Sequence, residues 1–168
     1  MSDRIAVLVA NAAWRGRLPE VARLARRAAR AALRERGGAG AAEVAILLAD
    51  DAHVRELNRR FRRKDKPTNV LSFPAGTPAA AAIDGPTPLG DIVLAFETCA
   101  REAREQSKTL RAHMTHLVVH GVLHLLGHDH VGNREAERME ALERAVLARL
   151  SVRDPYASPP HPTRRRAA

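Results

Sequence analysis

His120-Gly121-Val122-Leu123-His124-Leu125-Leu126-Gly127-His128-Asp129-His130 is the run from which the rest of the chain is read. His120 and His124 stand four residues apart in an apolar stretch, so a helix carries both imidazoles on one face, about one turn apart. Gly127 suits the left-handed residue just past a helix end. The chain can then turn back and bring His130 toward the first two. Three neutral imidazoles around one point, with a fourth position open, have the make-up of a catalytic Zn²⁺ site. An ion so held binds water and lowers its pKa to about 7. His113 and His116 continue the stripe one and two turns earlier and are expected beside the ligands or lining the cleft. His128 competes for the third position, with His130 preferred on spacing, and Asp129 is expected to fix a ligating imidazole or the turn.

The same skeleton, HxxxHxxGxxH, underlies the metzincin peptidases, whose motif is H-E-x-x-H-x-x-G-x-x-H. There the Glu after the first His is the general base. Position 121 is Gly here, which neither accepts nor delivers a proton, so a peptidase of that mechanism is not expected.

Around this run the chain is 168 residues long, enough for one domain with a real core. It contains no internal repeat, and the domain is expected to span residues 1–150. Four prolines beyond Ser151 and the run Arg164-Arg165-Arg166 describe a disordered basic tail over 151–168. The formal net charge of +9 comes mostly from Arg, whose planar fork matches phosphate oxygens, so a polyanionic partner such as nucleic acid is favoured. A single cysteine, Cys99, excludes an internal disulfide framework and fits a reducing compartment. No apolar run approaches the ~20 residues of a membrane span, and the start lacks the layout of a signal peptide. A soluble, cytoplasmic protein is expected.

Arg4 to Ala10 has the apolar, β-branched character of a short strand. Pro19 opens a helix that runs through Val21 to Arg36 and stops at Gly37-Gly38, with Arg23, Arg26, Arg27, Arg30 and Arg34 opposite its apolar face. Glu43 to Ala49 is a second strand. Asp50 and Asp51 offer an N-cap to a helix that should carry Val54, Leu57 and Phe61 inward. Then Phe61-Arg62-Arg63-Lys64-Asp65-Lys66-Pro67 ends that helix in a cluster of cations beside a tight turn, and Asn69 to Phe73 is a strand. Such a cluster is what a phosphate site needs, although spacing alone does not bring it to the histidines. Residues 75–89 lack periodicity and read as a mobile surface loop, followed by a strand from Gly90 to Phe96. Glu97 to Ser107 and Thr109 to Leu126 are helices. A last helix is expected from Asn133, as N-cap, to Leu150, with Met139, Leu142, Val146 and Leu150 inside.

Two separated stretches, KDKPTNVLSFP and HGVLHLLGHDH, with GDIVL between them, resemble the YbeY family of bacterial endoribonucleases, also called rRNA maturation factors. The resemblance runs from about Arg4 to Leu150. Arg63 stands where Gly is common and His128 where Tyr is common, and residues 75–89 and the tail are particular to this chain. It implies a single-domain α/β fold: a four-stranded mixed sheet with about five packed helices, and the zinc site on a helix and the following turn. It implies Zn²⁺, one per chain, on His120, His124 and His130, and a functional Arg at Arg62. It further implies a zinc-dependent, single-strand-specific endoribonuclease in maturation of the 3′ end of small-subunit (16S) ribosomal RNA and in ribosome assembly and quality control. Its implied partners are ribosomal RNA, the small ribosomal subunit, ribosomal proteins and the GTPase Era.

In that reading Arg62 stabilises charge on phosphorus and His120 is both ligand and part of the catalytic set. With no Glu in the motif, the nucleophile's proton goes to zinc-bound hydroxide or to a nearby His such as His116. The competing class is a non-enzymatic assembly factor stabilised by zinc. Structural sites usually fill all four positions with protein ligands, often Cys, and three His without a nearby Cys favour catalysis.

Overall fold

The structure, a computed structural model, describes residues 2–38, 40–76, 85–129 and 131–158. Strands β1 (Arg4–Val9), β2 (Ala42–Ala49), β3 (Val70–Pro74) and β4 (Thr87–Ala95) form one sheet in the order β1-β2-β4-β3. The first three in that order are parallel and β3 pairs antiparallel with β4, which makes the sheet mixed and leaves β3 as an edge. Its partners among the described residues are six helices rather than about five: α1 (Ala13–Arg17), α2 (Val21–Leu33), α3 (Asp51–Arg62), α4 (Phe96–Glu105), α5 (Leu110–Leu125) and α6 (Asn133–Arg149). The short α1 was not expected. It seats Trp14, which is wholly buried, donates from Nε1 to the Ala49 carbonyl at 2.9 Å and meets Phe96 edge-on at 5.2 Å.

Alternation along β2 divides the core. Val44, Ile46 and Leu48 face the main cluster with α2 and α5, while Leu47 joins Val54, Leu71, Val93 and Ala95 under α3 on the other face. Helix α5 lies deepest. It is apolar nearly all the way round and contacts α2, α4, α6, β3 and β4, as a helix without a solvent face must. Its start is capped by Thr109, whose hydroxyl accepts from Ala112 N at 3.1 Å. Of the two candidate caps for α3, Asp50 accepts from His53 N at 2.8 Å, and Asp51 instead binds Thr98 N and Oγ1, tying α3 to α4. Cys99 is a packing residue: buried, with burial pushing its thiol pKa up and its Sγ 3.6 Å from the Asn69 carbonyl.

Several boundaries differ from the sequence reading, each for a local reason. Helix α2 ends at Leu33 rather than Arg36, and Gly132, not Asn133, is the N-cap of α6. The strand expected from Gly90 begins at Thr87. Its Pro88 and Gly90 obscure the pattern, and a shift in register opposite Glu43 and Val44 absorbs them. Phe61, expected inward, is 62% exposed: it sits in the last turn of α3 beyond the packed part, with its ring edge-on to Phe73 at 5.5 Å. The expected tail is ordered at its start. Val152 packs on the main core and its N–H reaches the Leu147 carbonyl at 2.9 Å, and Lys108 Nζ donates to the Pro155 carbonyl at 3.0 Å. Residues 77–84 of the expected loop, and 159–168 with Arg164-Arg165-Arg166, lie outside the described residues. Among the described residues no helix is long and apolar enough to cross a membrane.

Gly90 and Gly127 both have positive φ, +136° and +95°, but only Gly90 is also crowded: a Cβ there would lie 2.1 Å from the Phe73 carbonyl oxygen. Gly90→Ala is expected to cost about 3 kcal/mol, through strain at β3–β4. Gly127→Ala, with open space around its Cβ, is expected to cost only about 1 kcal/mol. Urea unfolding midpoints at constant m-value measure both, and equal losses would contradict the assignment.

Candidate active site

Four imidazoles run along one side of α5, and the ring centroids of His113, His116, His120 and His124 follow one another at 6.3, 6.2 and 4.7 Å. A helix buried this completely must satisfy those rings from other elements. Glu102 of α4 takes the first: His113 Nε2 donates to it at 2.7 Å, and it also accepts from Asn69 at the head of β3. Burial outweighs that carboxylate and holds the His113 pKa below the ordinary imidazole value. Glu143 of α6 takes the next two. Its wholly buried carboxylate accepts from His116 Nε2 at 3.2 Å and from His120 Nδ1 and the Tyr156 hydroxyl in closer contacts. Burial alone would push the Glu143 pKa up, but the hydrogen bonds from His116, His120 and Tyr156 prevail and hold it well below the usual carboxylate range. The Nδ1 atoms of His113 and His116 are buried without a hydrogen-bond partner.

The bond from His120 Nδ1 to Glu143 fixes the tautomer with the proton on Nδ1, the pairing with a carboxylate that a metal-ligating histidine usually makes. His116, His120 and Glu143 themselves place three donor atoms within 4.8 Å of one another, a group able to hold a metal ion. Both imidazoles already hydrogen-bond to Glu143, which is sealed from solvent, an arrangement that suits a carboxylate bracing His120 from behind. The donors on the cleft side are of the kind zinc takes: imidazoles at i and i+4, one of them oriented by a carboxylate. The turn after α5 has the expected form. Gly127 N reaches the His124 carbonyl at 2.9 Å and His128 N the Leu123 carbonyl at 3.1 Å, a Schellman pair that reverses the chain. His130 lies outside the described residues.

Arg62 arrives from the other side. It is the last residue of α3, which Arg63 terminates at φ 54°, in the left-handed conformation that favours glycine. The Arg62 guanidinium donates from Nη2 to the Ser72 carbonyl at 2.9 Å and lies 5.9 Å from the centre of the Phe73 ring. Arg62, Ser72, His120 and His124 line one cavity of about 230 Å³ along the β3 edge. The cation and the two histidines, which sequence spacing could not join, therefore share a cleft. His116 is not part of that cavity's lining. With Nε2 on Glu143 and Nδ1 buried, it does not serve as the proton acceptor that the sequence reading offered.

Glu143 and Tyr156 were missed from the sequence. The signal for Glu143 was a carboxylate on the inner face of α6, whose buried residues are Met139, Glu143, Val146 and Leu147. Tyr156, the only tyrosine, fell in the segment read as tail. Gly121 gains a positive role: a Cβ there would come within 3.0–3.3 Å of Ile92 on β4. Position 121 thus faces the sheet and lets α5 approach it, which rules out a metzincin-like base at that place.

The chain matches the family model described as Endoribonuclease YbeY over residues 9–151. It is 52% identical to the Endoribonuclease YbeY of Azorhizobium caulinodans over 157 residues, which is 92% of this chain and 97% of the relative. It is also 52% identical to that of Paramagnetospirillum magneticum, covering 90% and 94%. With the relative from Rhodopseudomonas palustris it shares 55% identity over 70% of its length, spanning 62% of that protein. The solution structure of TM1509 from Thermotoga maritima superposes with a TM-score of 0.53 at 24% identity, covering 95% of this chain and 98% of that one, which supports the fold. The matched length, the level of identity and the shared architecture agree, and the chain belongs to the YbeY endoribonuclease family.

Proposed function

We propose that this chain is a zinc-dependent, single-strand-specific endoribonuclease that matures the 3′ end of small-subunit ribosomal RNA. The observation that carries this reading is the placement of Arg62 opposite His120 and His124 in one cleft at an open sheet edge. Zn²⁺ would be held by His120, His124 and His130, and when bound it supplies a Lewis acid for a phosphoryl oxygen and acidifies water.

The remaining work belongs to the chain's own side chains. The Ser72 carbonyl holds one N–H of Arg62 and Phe73 lies beneath the guanidinium, so its other N–H groups can meet the non-bridging oxygens as charge grows on phosphorus. Glu143 keeps the proton on Nδ1 of His120 and thereby keeps Nε2 as a donor pair, with Tyr156 holding the far oxygen of the carboxylate. The Arg-rich surface and net charge of +9 favour a polyanionic substrate. Ribosomal RNA and the small subunit, with ribosomal proteins and the GTPase Era as partners in the cytoplasm, complete the proposal.

Cleavage of a small-subunit rRNA precursor by purified protein tests it. Activity is expected to disappear on chelation, to return with zinc, and to be absent from His120→Ala. Equal cleavage by wild type and His120→Ala would mean a contaminating nuclease. Arg62→Ala is expected to lower kcat/KM by about 10²–10³ with zinc content unchanged, and wild-type turnover in this variant would remove Arg62 from the mechanism. Glu143→Gln is expected to weaken zinc binding by about 10- to 100-fold, measured by competition with a chromophoric chelator. An unchanged affinity would show that the carboxylate does not brace the ligand.

A further inference from the structure

The cleft on the α5 side of β3 leaves unused a larger cavity on the opposite face of the sheet, about 560 Å³ in volume. Its floor includes Ala45, Leu47 and Val93 and its wall Leu57, Phe61 and Phe73, with His53 and Asp91 as polar groups within it. A concave, mostly apolar site with a few polar groups suits a flat heteroaromatic ligand. Phe61 stands 62% exposed at the lip, braced edge-on by Phe73, with the Arg60 guanidinium 5.6 Å from its ring centre. Arg60, Arg63, Lys64 and Lys66, its near neighbours in sequence, are all exposed, and among the described residues none of them makes a salt bridge, although the Arg60 charge acts on Glu56. A surface-exposed aromatic in an exposed, cation-rich segment is poorly suited to an apolar peptide and well suited to a base carried on a phosphate backbone.

The two cavities meet at the edge strand. Ser72 and Phe73 point to opposite faces of β3, and Arg62 touches both, bonding the Ser72 carbonyl in the cleft and lying against the Phe73 ring. A phosphate held at Arg62 therefore has the Phe73–Phe61 pair beside it around the edge. We propose that Phe61, backed by Phe73, stacks an unpaired nucleobase adjacent to the scissile phosphate. This rests on the endoribonuclease reading of the cleft. It gives that reading a physical source of single-strand preference, because a base inside a duplex is not available to the ring.

The test uses the full-length, zinc-loaded protein and a single-stranded RNA oligonucleotide in which 2-aminopurine is scanned along the sequence. On mixing, before cleavage, emission is expected to be quenched at one position near the cut. Phe61→Ala is expected to abolish that quench and raise KM about tenfold with kcat preserved, the effect of one base–aromatic stack. Phe61→Trp should retain both. An abasic residue at the responsive position should raise the wild-type KM by the same factor and add nothing in Phe61→Ala. A Phe61→Ala protein with wild-type melting temperature, quench and KM overturns the proposal. So does one that loses only retention of a ribosomal protein, which would make the cavity a protein-docking face. If wild type cleaves and Phe61→Ala is indistinguishable from it, the base site falls and the nuclease reading stands. If a Phe61-dependent quench occurs in protein that does not cleave, the base site stands and the nuclease reading falls.

Discussion

A largely buried helix that carries four imidazoles has to find partners for those inside, and this requirement organises the molecule around α5. Glu102 answers for His113 and Glu143 for His116 and His120. Each carboxylate comes from a different helix, so the polar demands of α5 fix where α4 and α6 dock as much as their apolar faces do. Withdrawing one carboxylate from such a set costs about 1–3 kcal/mol, the penalty of a buried donor left unpaired. The arrangement also has a chemical consequence, since the carboxylate that satisfies His120 at Nδ1 fixes the tautomer of a ring that lines the cleft.

The second half of the site depends on the way a helix ends. Arg63 in the left-handed conformation stops α3 with Arg62 at its tip, and β3 follows as an edge strand after a short turn. The turn is held by polar contacts: Arg55 pairs with Asp65 at 2.8 Å, and Asn58 Nδ2 donates to the Lys66 carbonyl at 2.8 Å. An edge strand offers unpaired backbone groups, and here one of them, the Ser72 carbonyl, aims the guanidinium. On its other side the Ser72 hydroxyl lies 3.5 Å from the Gly121 carbonyl of α5. The strand thus sits between the cation and the histidines, and its register sets their separation.

What the sequence made legible was local. The i, i+4 histidines, the Gly127 reversal and the alternating strands follow from periods and turn chemistry confined to a few residues, and the structure bears them out. Phe61 was misplaced because its apolar character was read without knowing that the sheet ends beneath it. The start of β4 was read as loop because Pro88 and Gly90 hide a strand that only its neighbour's register shift explains. The juxtaposition of Arg62 with His120 and His124 is a property of strand order, which places β3 at the edge next to α5. No spacing within either segment encodes it.

Tyr156 shows the same limit more sharply. A proline-rich, charged segment after the last helix has the composition of a tail, and nothing in its own residues indicates a partner. The contacts that hold it are made by other parts of the chain. Val152 enters the main core, Lys108 binds the Pro155 carbonyl, Arg144 reaches Asp154 at 3.3 Å and lies 5.2 Å from the Tyr156 ring, and the hydroxyl ends on Glu143. Val152, Asp154, Pro155 and Tyr156 lie beyond the matched span of the family model, which ends at 151. A carboxylate buried with two imidazoles has room for one more donor, and in this chain the segment past the domain's last helix provides it. The order of residues 152–157 is therefore coupled to the orientation of His120, although no residue of that segment lines the cleft.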